Sequence, residues 1–234
     1  MLPKYKAPFI FANFNGTVGD VDVLTHEAGH AFQCFESRNF EVEEYYWPTM
    51  ESCEIHSMSM EHLTYPWMKL FFGADTDKYK FVHLSSNILF LPYGVAVDEF
   101  QHIVYANPDM TPAERKQTWL QMEKKYRPWM DYDGIDYLER GGFWQRQGHI
   151  YRSPFYYIDY CLAQLCAFQF WSRSQQDFAG AWNDYLRLCK AGGSDSFLGL
   201  VKLAGLQSPF NKEVFGPLFT ELENYLNTFD DMKM

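Results

Sequence analysis

Apolar and polar positions follow two rhythms along the chain, and the change between them comes early. Residues 8–15 read PFIFANFN, an aromatic and β-branched stretch closed by Asn15-Gly16, which is the composition of a strand followed by a turn. From Asp20 onward the apolar residues Leu24, Ala28, Ala31, Phe32 and Phe35 recur at helical spacing, and Asp20 is suited to cap that helix. A charged, aromatic stretch then leads to Pro48, which suits the first turn of a second helix running to about Thr64. Helical patterns return over residues 77–105, 112–125, 154–174, 178–191, 195–203 and 211–228. The expected class is therefore mainly α, with one short strand near the N-terminus at an edge. Residues 127–149 carry no period; they are rich in Gly, Trp, Tyr and Arg, the composition of a long loop that serves a site.

Composition narrows what such a helical chain can do. Its 234 residues suffice for one sizeable core, and 47% hydrophobic and 19% aromatic residues argue for a folded protein. A net charge of −10 with no cluster of Lys and Arg excludes a phosphate-binding surface, so no nucleic-acid partner is expected. No apolar run reaches the ~18 residues that a membrane span requires, and the N-terminal residues lack a signal-peptide core. Five cysteines without a CxxC pair suit a reducing compartment and free, mostly buried thiols. The expectation is a soluble, intracellular protein.

The chemistry concentrates in the first two predicted helices. Residues His26-Glu27-Ala28-Gly29-His30 form an HExxH motif, and the i, i+4 spacing places both imidazoles on one helix face, where they can chelate one ion. Glu27 follows the first ligand directly, so its carboxylate lies beside the ion, placed to take a proton from the attacking water and deliver it to the leaving amine. Two imidazoles and one carboxylate with an open fourth position suit catalytic zinc, with manganese or cobalt as substitutes. In the second helix Glu54 and Glu61 lie seven positions apart and share a face. Glu54 is expected to complete the ligand set and Glu61 to orient a ligand histidine through its second N–H; Glu51 is the alternative ligand. His56, His62, His83 and His102 have no ligand-like spacing and read as structural.

The segments PFIFANFNGT, DVLTHEAGHAFQ and CEIHSMSMEHL together resemble the oligoendopeptidase F branch of the thimet oligopeptidase family, and the likeness continues through HIYRSPFYYIDYCLAQ at residues 149–164. It implies a zincin-like helical catalytic domain spanning residues 1–234, a cytoplasmic zinc endopeptidase that cuts short peptides. It further implies that the strand residues Phe9, Phe11, Ala12 and Asn13 pair with substrate backbone, that His149 stands near the scissile carbonyl, and that Tyr157 and Tyr160 stabilise the oxyanion, with Tyr156 as an alternative to Tyr157. Family members carry a large helical portion before the zinc motif, so this chain resembles only their catalytic C-terminal part. Two expectations follow: self-association through apolar surface left without its cover, and, as the competing function, a zinc-binding fragment that is silent by itself. An exopeptidase is a further alternative, for which no terminus-holding group can be placed.

Overall fold

The computed structural model describes residues 1–230 and 232, and among these the secondary structure is helical. The α-helices are α1 (Val18–Ser37), α2 (Met50–Leu63), α3 (Lys69–Phe72), α4 (Thr76–Ala106), α5 (Pro112–Tyr126), α6 (Asp136–Glu139), α7 (Gly148–Arg152), α8 (Tyr157–Gln176), α9 (Phe178–Ala191), α10 (Phe197–Leu203) and α11 (Phe215–Leu226). Residues divide into two compact units, one of Met1–Ser85 with Leu162–Met234 and one of Ser86–Cys161. No helix among the described residues is long and apolar enough to cross a bilayer.

In the first unit α1 packs against α2 and α9, and α10 packs against both α2 and α9. The hub is α2, which is buried along nearly its whole length although its sequence is largely polar. Small side chains make this possible: Ser52, Ser57 and Ser59 are fully buried and let neighbouring helices come close. Ile55, Leu63, Phe168, Phe170, Trp171, Tyr185 and Leu188 are fully buried in the same unit. The Tyr185 hydroxyl donates to the His56 carbonyl at 2.9 Å, tying α9 to α2. His56 itself is fully buried, and burial depresses its pKa to about 4; His62, also buried, is depressed to about 3. Both are neutral core histidines, as their spacing predicts.

The start of α1 differs from the sequence expectation. Thr17 is the N-cap residue, and Asp20 lies within the first turn, where its carboxylate accepts the backbone N–H groups of Asn15 and Gly16 at 3.0 and 2.6 Å. Asp20 thus closes the preceding turn, in which Gly16 adopts φ +82°, a conformation that costs glycine least. Pro48 likewise lies just ahead of α2 rather than in its first turn, with Thr49 at the N-cap.

A second correction concerns residues 8–15. They form neither helix nor strand, and no backbone hydrogen bond joins residues 8–14 to another part of the described chain. Nearby, a single bridge pairs Leu2 with Ala7. The β-prone composition is real, but a strand exists only when a partner supplies the other half of its ladder, and the described residues offer none. The segment is left with Phe9 63% and Phe11 90% exposed.

The second unit has its own core of Ala96, Val97, Phe100, Trp119, Met122, Trp144, Ile150 and Tyr157. The aperiodic stretch 127–149 supplies part of it: Trp144 packs on Phe100 with ring centroids 4.9 Å apart. Helix α5 opens with a capping box in which Thr111 and Glu114 satisfy each other's backbone N–H groups. All five cysteines are free, and four of them are buried.

Candidate metal centre

Helix α1 presents His26 and His30 toward α2, and what allows the approach is Gly29 between them. A Cβ built at Gly29 would lie 2.6 Å from the His56 carbonyl oxygen and 2.7 Å from the Ser57 Cα. Both obstacles are backbone and have no room to yield. Only glycine permits this helix–helix distance, which carries Glu54 up to the two imidazoles. Gly29→Ala is expected to destabilise the chain by at least about 1–3 kcal/mol, the usual cost of overpacking, seen as a lower denaturation midpoint; an unchanged midpoint would show that α2 retreats freely.

The three sequence-predicted ligands meet. Glu54 Oε2 lies 3.3 Å from His26 Nε2 and 3.5 Å from His30 Nε2, and one donor atom from each residue falls within 4.8 Å of the others. Charge-assisted N–H···O bonds favour about 2.7–2.9 Å, so these gaps are wide for direct pairing. A tetrahedral divalent ion with donors at about 2.0–2.2 Å sets its ligand atoms about 3.3–3.6 Å apart. The two separations from Glu54 Oε2 are those of tetrahedron edges, and the residues therefore fit such an ion. Among the described residues this is the one group of His, Cys, Asp or Glu side chains so arranged; Glu51, the alternative ligand, is not in it.

The supporting hydrogen bonds keep the donors turned inward. Ser57 Oγ donates to Glu54 Oε2 at 2.9 Å, one turn further along α2. Glu61 Oε1 accepts from His26 Nδ1 at 2.7 Å, which leaves Nε2 as the atom directed at Glu54. The other Glu61 oxygen is 2.8 Å from His83 Nε2, and His83 Nδ1 is 2.7 Å from the Tyr65 hydroxyl. Sequence spacing missed this role of His83. The one signal available was that Tyr79 and His83 share a face of α4, where their rings stack with centroids 5.4 Å apart.

The electrostatics favour positive charge. Burial opposes a charged His26, but its interactions with Glu54 and Glu61 prevail and raise its pKa to about 10. Burial likewise resists ionisation of Glu54, and His26 and His30 overcome it, holding the carboxyl well below the usual carboxylate range. Glu61, against the same resistance, is brought down to about 2 by His26 and His83. Two buried carboxylates among the imidazoles of His26, His30 and His83 form a pocket suited to a dication.

Beside the centre is a cavity of about 210 Å³ lined by Glu27, His30, Pro8, Phe9, Trp47 and Cys53 among others. Among the described residues the Glu27 carboxylate has no hydrogen-bonding or ionic partner, so it is available to an incoming molecule. Of the four residues expected to hold a peptide backbone, Phe9 lines this cavity; Phe11, Ala12 and Asn13 do not.

His149, Tyr157 and Tyr160 belong to the second unit. His149 Nδ1 is 2.6 Å from Gln147 Nε2, and its Nε2 is 3.4 Å from the Tyr160 hydroxyl. Tyr157 is only 9% exposed and is part of that unit's core, and burial raises the pKa of its phenol. Tyr156 and Tyr160 are more accessible, with ring centroids 4.9 Å apart. The i, i+3 spacing that pairs Tyr157 with Tyr160 therefore does not give the two side chains equal burial.

Comparison with known proteins bears on both units. An oligoendopeptidase F homolog from Borreliella burgdorferi is 25% identical over 209 residues, covering 85% of this chain and 34% of the relative. The solved structure of PZ peptidase A with an inhibitor shares 65% identity and a TM-score of 0.96 over 98% of this chain and 41% of that one. A provisionally assigned oligoendopeptidase F from Bacillus anthracis str. Ames shares 57% identity and a TM-score of 0.87, over 100% of this chain and 39% of that one. The chain thus spans about a third of the length of the curated relative and about two fifths of the solved ones. The model of peptidase family M3 matches residues 3–215, a span that takes in the HExxH helix, the Glu54 helix and the segment following His149, and the chain belongs to that family.

Proposed function

We propose that residues 1–234 constitute the catalytic domain of a zinc-dependent endopeptidase acting on short peptides. The observation that carries this reading is the placement of Glu54 Oε2 at tetrahedron-edge distances from His26 Nε2 and His30 Nε2, with the unpartnered Glu27 carboxylate one residue from the first ligand. Zinc, held by His26, His30 and Glu54, supplies an electrophile for the peptide carbonyl and acidifies water.

The protein's own groups then divide the work. Glu27 removes a proton from the attacking water and returns it to the departing amine. Glu61 holds His26 in the tautomer whose Nε2 is free to ligate. Residues 8–14 keep their backbone groups uncommitted, which suits pairing with an extended peptide, and Phe9, Phe11, Ala12 and Asn13 are the positions proposed to make that ladder. Backbone pairing of this kind binds without demanding a particular sequence. His149 and Tyr160 are proposed, on family resemblance, to polarise the carbonyl and stabilise the oxyanion; Tyr156, more accessible than Tyr157, is the better candidate for a second phenol.

A second reading has a specific basis, the small share of the relatives' length that the chain spans. On that reading the chain binds zinc but is silent alone, because remote substrate contacts that contribute to the chemical step are missing. An internally quenched peptide of about ten residues decides between them. The expected result is cleavage by the zinc-loaded chain that stops on chelation and returns with zinc, and that Tyr160→Phe slows without loss of metal. Stoichiometric zinc with no cleavage would establish the silent reading instead, and a Tyr160→Phe rate equal to wild type would remove the oxyanion assignment.

A further inference from the structure

We propose that His83, 57 residues beyond the first ligand, is a positioning residue of the metal centre, acting on His26 through Glu61 and itself aligned by Tyr65. The proposal rests on the zinc reading above. Its basis is a continuous chain of short contacts: Tyr65 hydroxyl to His83 Nδ1, 2.7 Å; His83 Nε2 to Glu61 Oε2, 2.8 Å; Glu61 Oε1 to His26 Nδ1, 2.7 Å. Four elements meet in it: His26 from α1, Glu61 from α2, Tyr65 from the turn that follows, and His83 from α4. Every member beyond His26 is buried, with Tyr65 4%, His83 6% and Glu61 8% exposed.

The direction of the hydrogen bonds follows from the chemistry of the groups. A carboxylate only accepts, so both imidazoles must donate to Glu61, His83 through Nε2–H and His26 through Nδ1–H. The Glu61 carboxylate is then gripped at both oxygens and cannot rotate about its own axis without leaving a buried oxygen unpaired. The Nδ1–H of His26 is locked in turn, and the Nε2 lone pair points where an ion would be held with Glu54. Tyr65 completes the arrangement: bonded to His83 Nδ1, it holds the ring with Nε2 facing Glu61. The other groups around His83 accord with this. Asp22 Oδ1 lies 4.0 Å from Nε2, too far for a hydrogen bond, and is engaged by the Tyr79 hydroxyl at 2.8 Å; the Tyr79 and His62 rings pack against the imidazole. Asp22 therefore does not compete for the Nε2 donor.

Without His83, Glu61 keeps one partner and one orphaned buried oxygen, and it is free to turn away from His26. Groups that orient a ligand in this way carry roughly 10–100-fold in metal affinity. The test is zinc affinity, read by competition with a chromophoric chelator, for the wild-type chain and for His83→Leu, His83→Gln and Tyr65→Phe. His83→Leu is expected to bind zinc about 10–100-fold more weakly. His83→Gln, whose amide N–H can still reach Glu61 Oε2, is expected to recover most of that loss, which a role in packing alone would not produce. Tyr65→Phe deletes a single buried hydroxyl and is expected to weaken zinc several-fold while lowering the melting temperature of the zinc-free chain by only several degrees, so it serves as the measure if His83→Leu does not fold. A changed visible spectrum of the cobalt-substituted Tyr65→Phe chain would report the altered ligand directly. Equal affinity in wild type, Tyr65→Phe and His83→Leu overturns the proposal alone. A wild-type chain that takes up no zinc overturns the reading beneath it as well.

Discussion

Glu27→Gln is expected to lower peptide cleavage by about 10²–10⁴-fold, the share usually carried by a positioned general base, while zinc binding stays stoichiometric. The amide has the carboxylate's shape but accepts no proton at neutral pH, so the water is no longer deprotonated. Glu27 is well suited to this experiment because its carboxylate has no partner within the described chain, and its replacement therefore breaks no ion pair that holds α1 to α2. A loss of rate therefore reports chemistry and not misfolding. Steady-state rates on a quenched peptide, together with metal analysis of the same preparation, make the check; a variant rate within a few-fold of wild type would assign the base elsewhere.

Glu54→Ala is the second large effect, and it should act on the metal itself. Loss of a direct ligand is expected to weaken zinc well beyond the roughly 10–100-fold carried by orienting residues, and Glu51→Ala is expected to change affinity little. Thermal unfolding gives a readout independent of catalysis. A ligand present at about 1,000 times its dissociation constant stabilises the native state by about 4 kcal/mol, so the wild-type melting temperature should rise with added zinc. Glu54→Ala should show almost no such rise at the same zinc concentration. If Glu51→Ala were the variant to lose it, the ligand assignment would pass to Glu51, against the spacing of Glu54 Oε2 from both imidazoles.

These two experiments also separate the levels at which the site is built. Glu27 and the two histidines are placed by a single helix, whereas Glu54 reaches them only because Gly29 lets α2 come within backbone contact of α1. A variant such as Gly29→Ala therefore touches metal affinity and stability together, while Glu27→Gln touches the chemical step alone. Comparing the two distinguishes damage to the frame from damage to the reaction.

What the amino-acid order determined by itself is what short-range geometry controls. The i, i+4 spacing of His26 and His30 and the shared face of Glu54 and Glu61 follow from 3.6 residues per turn, and the mainly α class and the extent of helices such as α9 follow from the same period. The tertiary structure decided what depends on partners distant in sequence or absent from it. The β-prone residues 8–15 formed no strand because a ladder needs a second segment. Asp20 left the cap to Thr17 because its carboxylate found the N–H groups of the preceding turn. Tyr157 and Tyr160 share a helix face, yet core packing buries the first more deeply than the second. His83 carries no ligand spacing, and its link to His26 exists only where α4 meets α2, because a buried carboxylate with two oxygens takes its second donor from whatever element folding brings beside it.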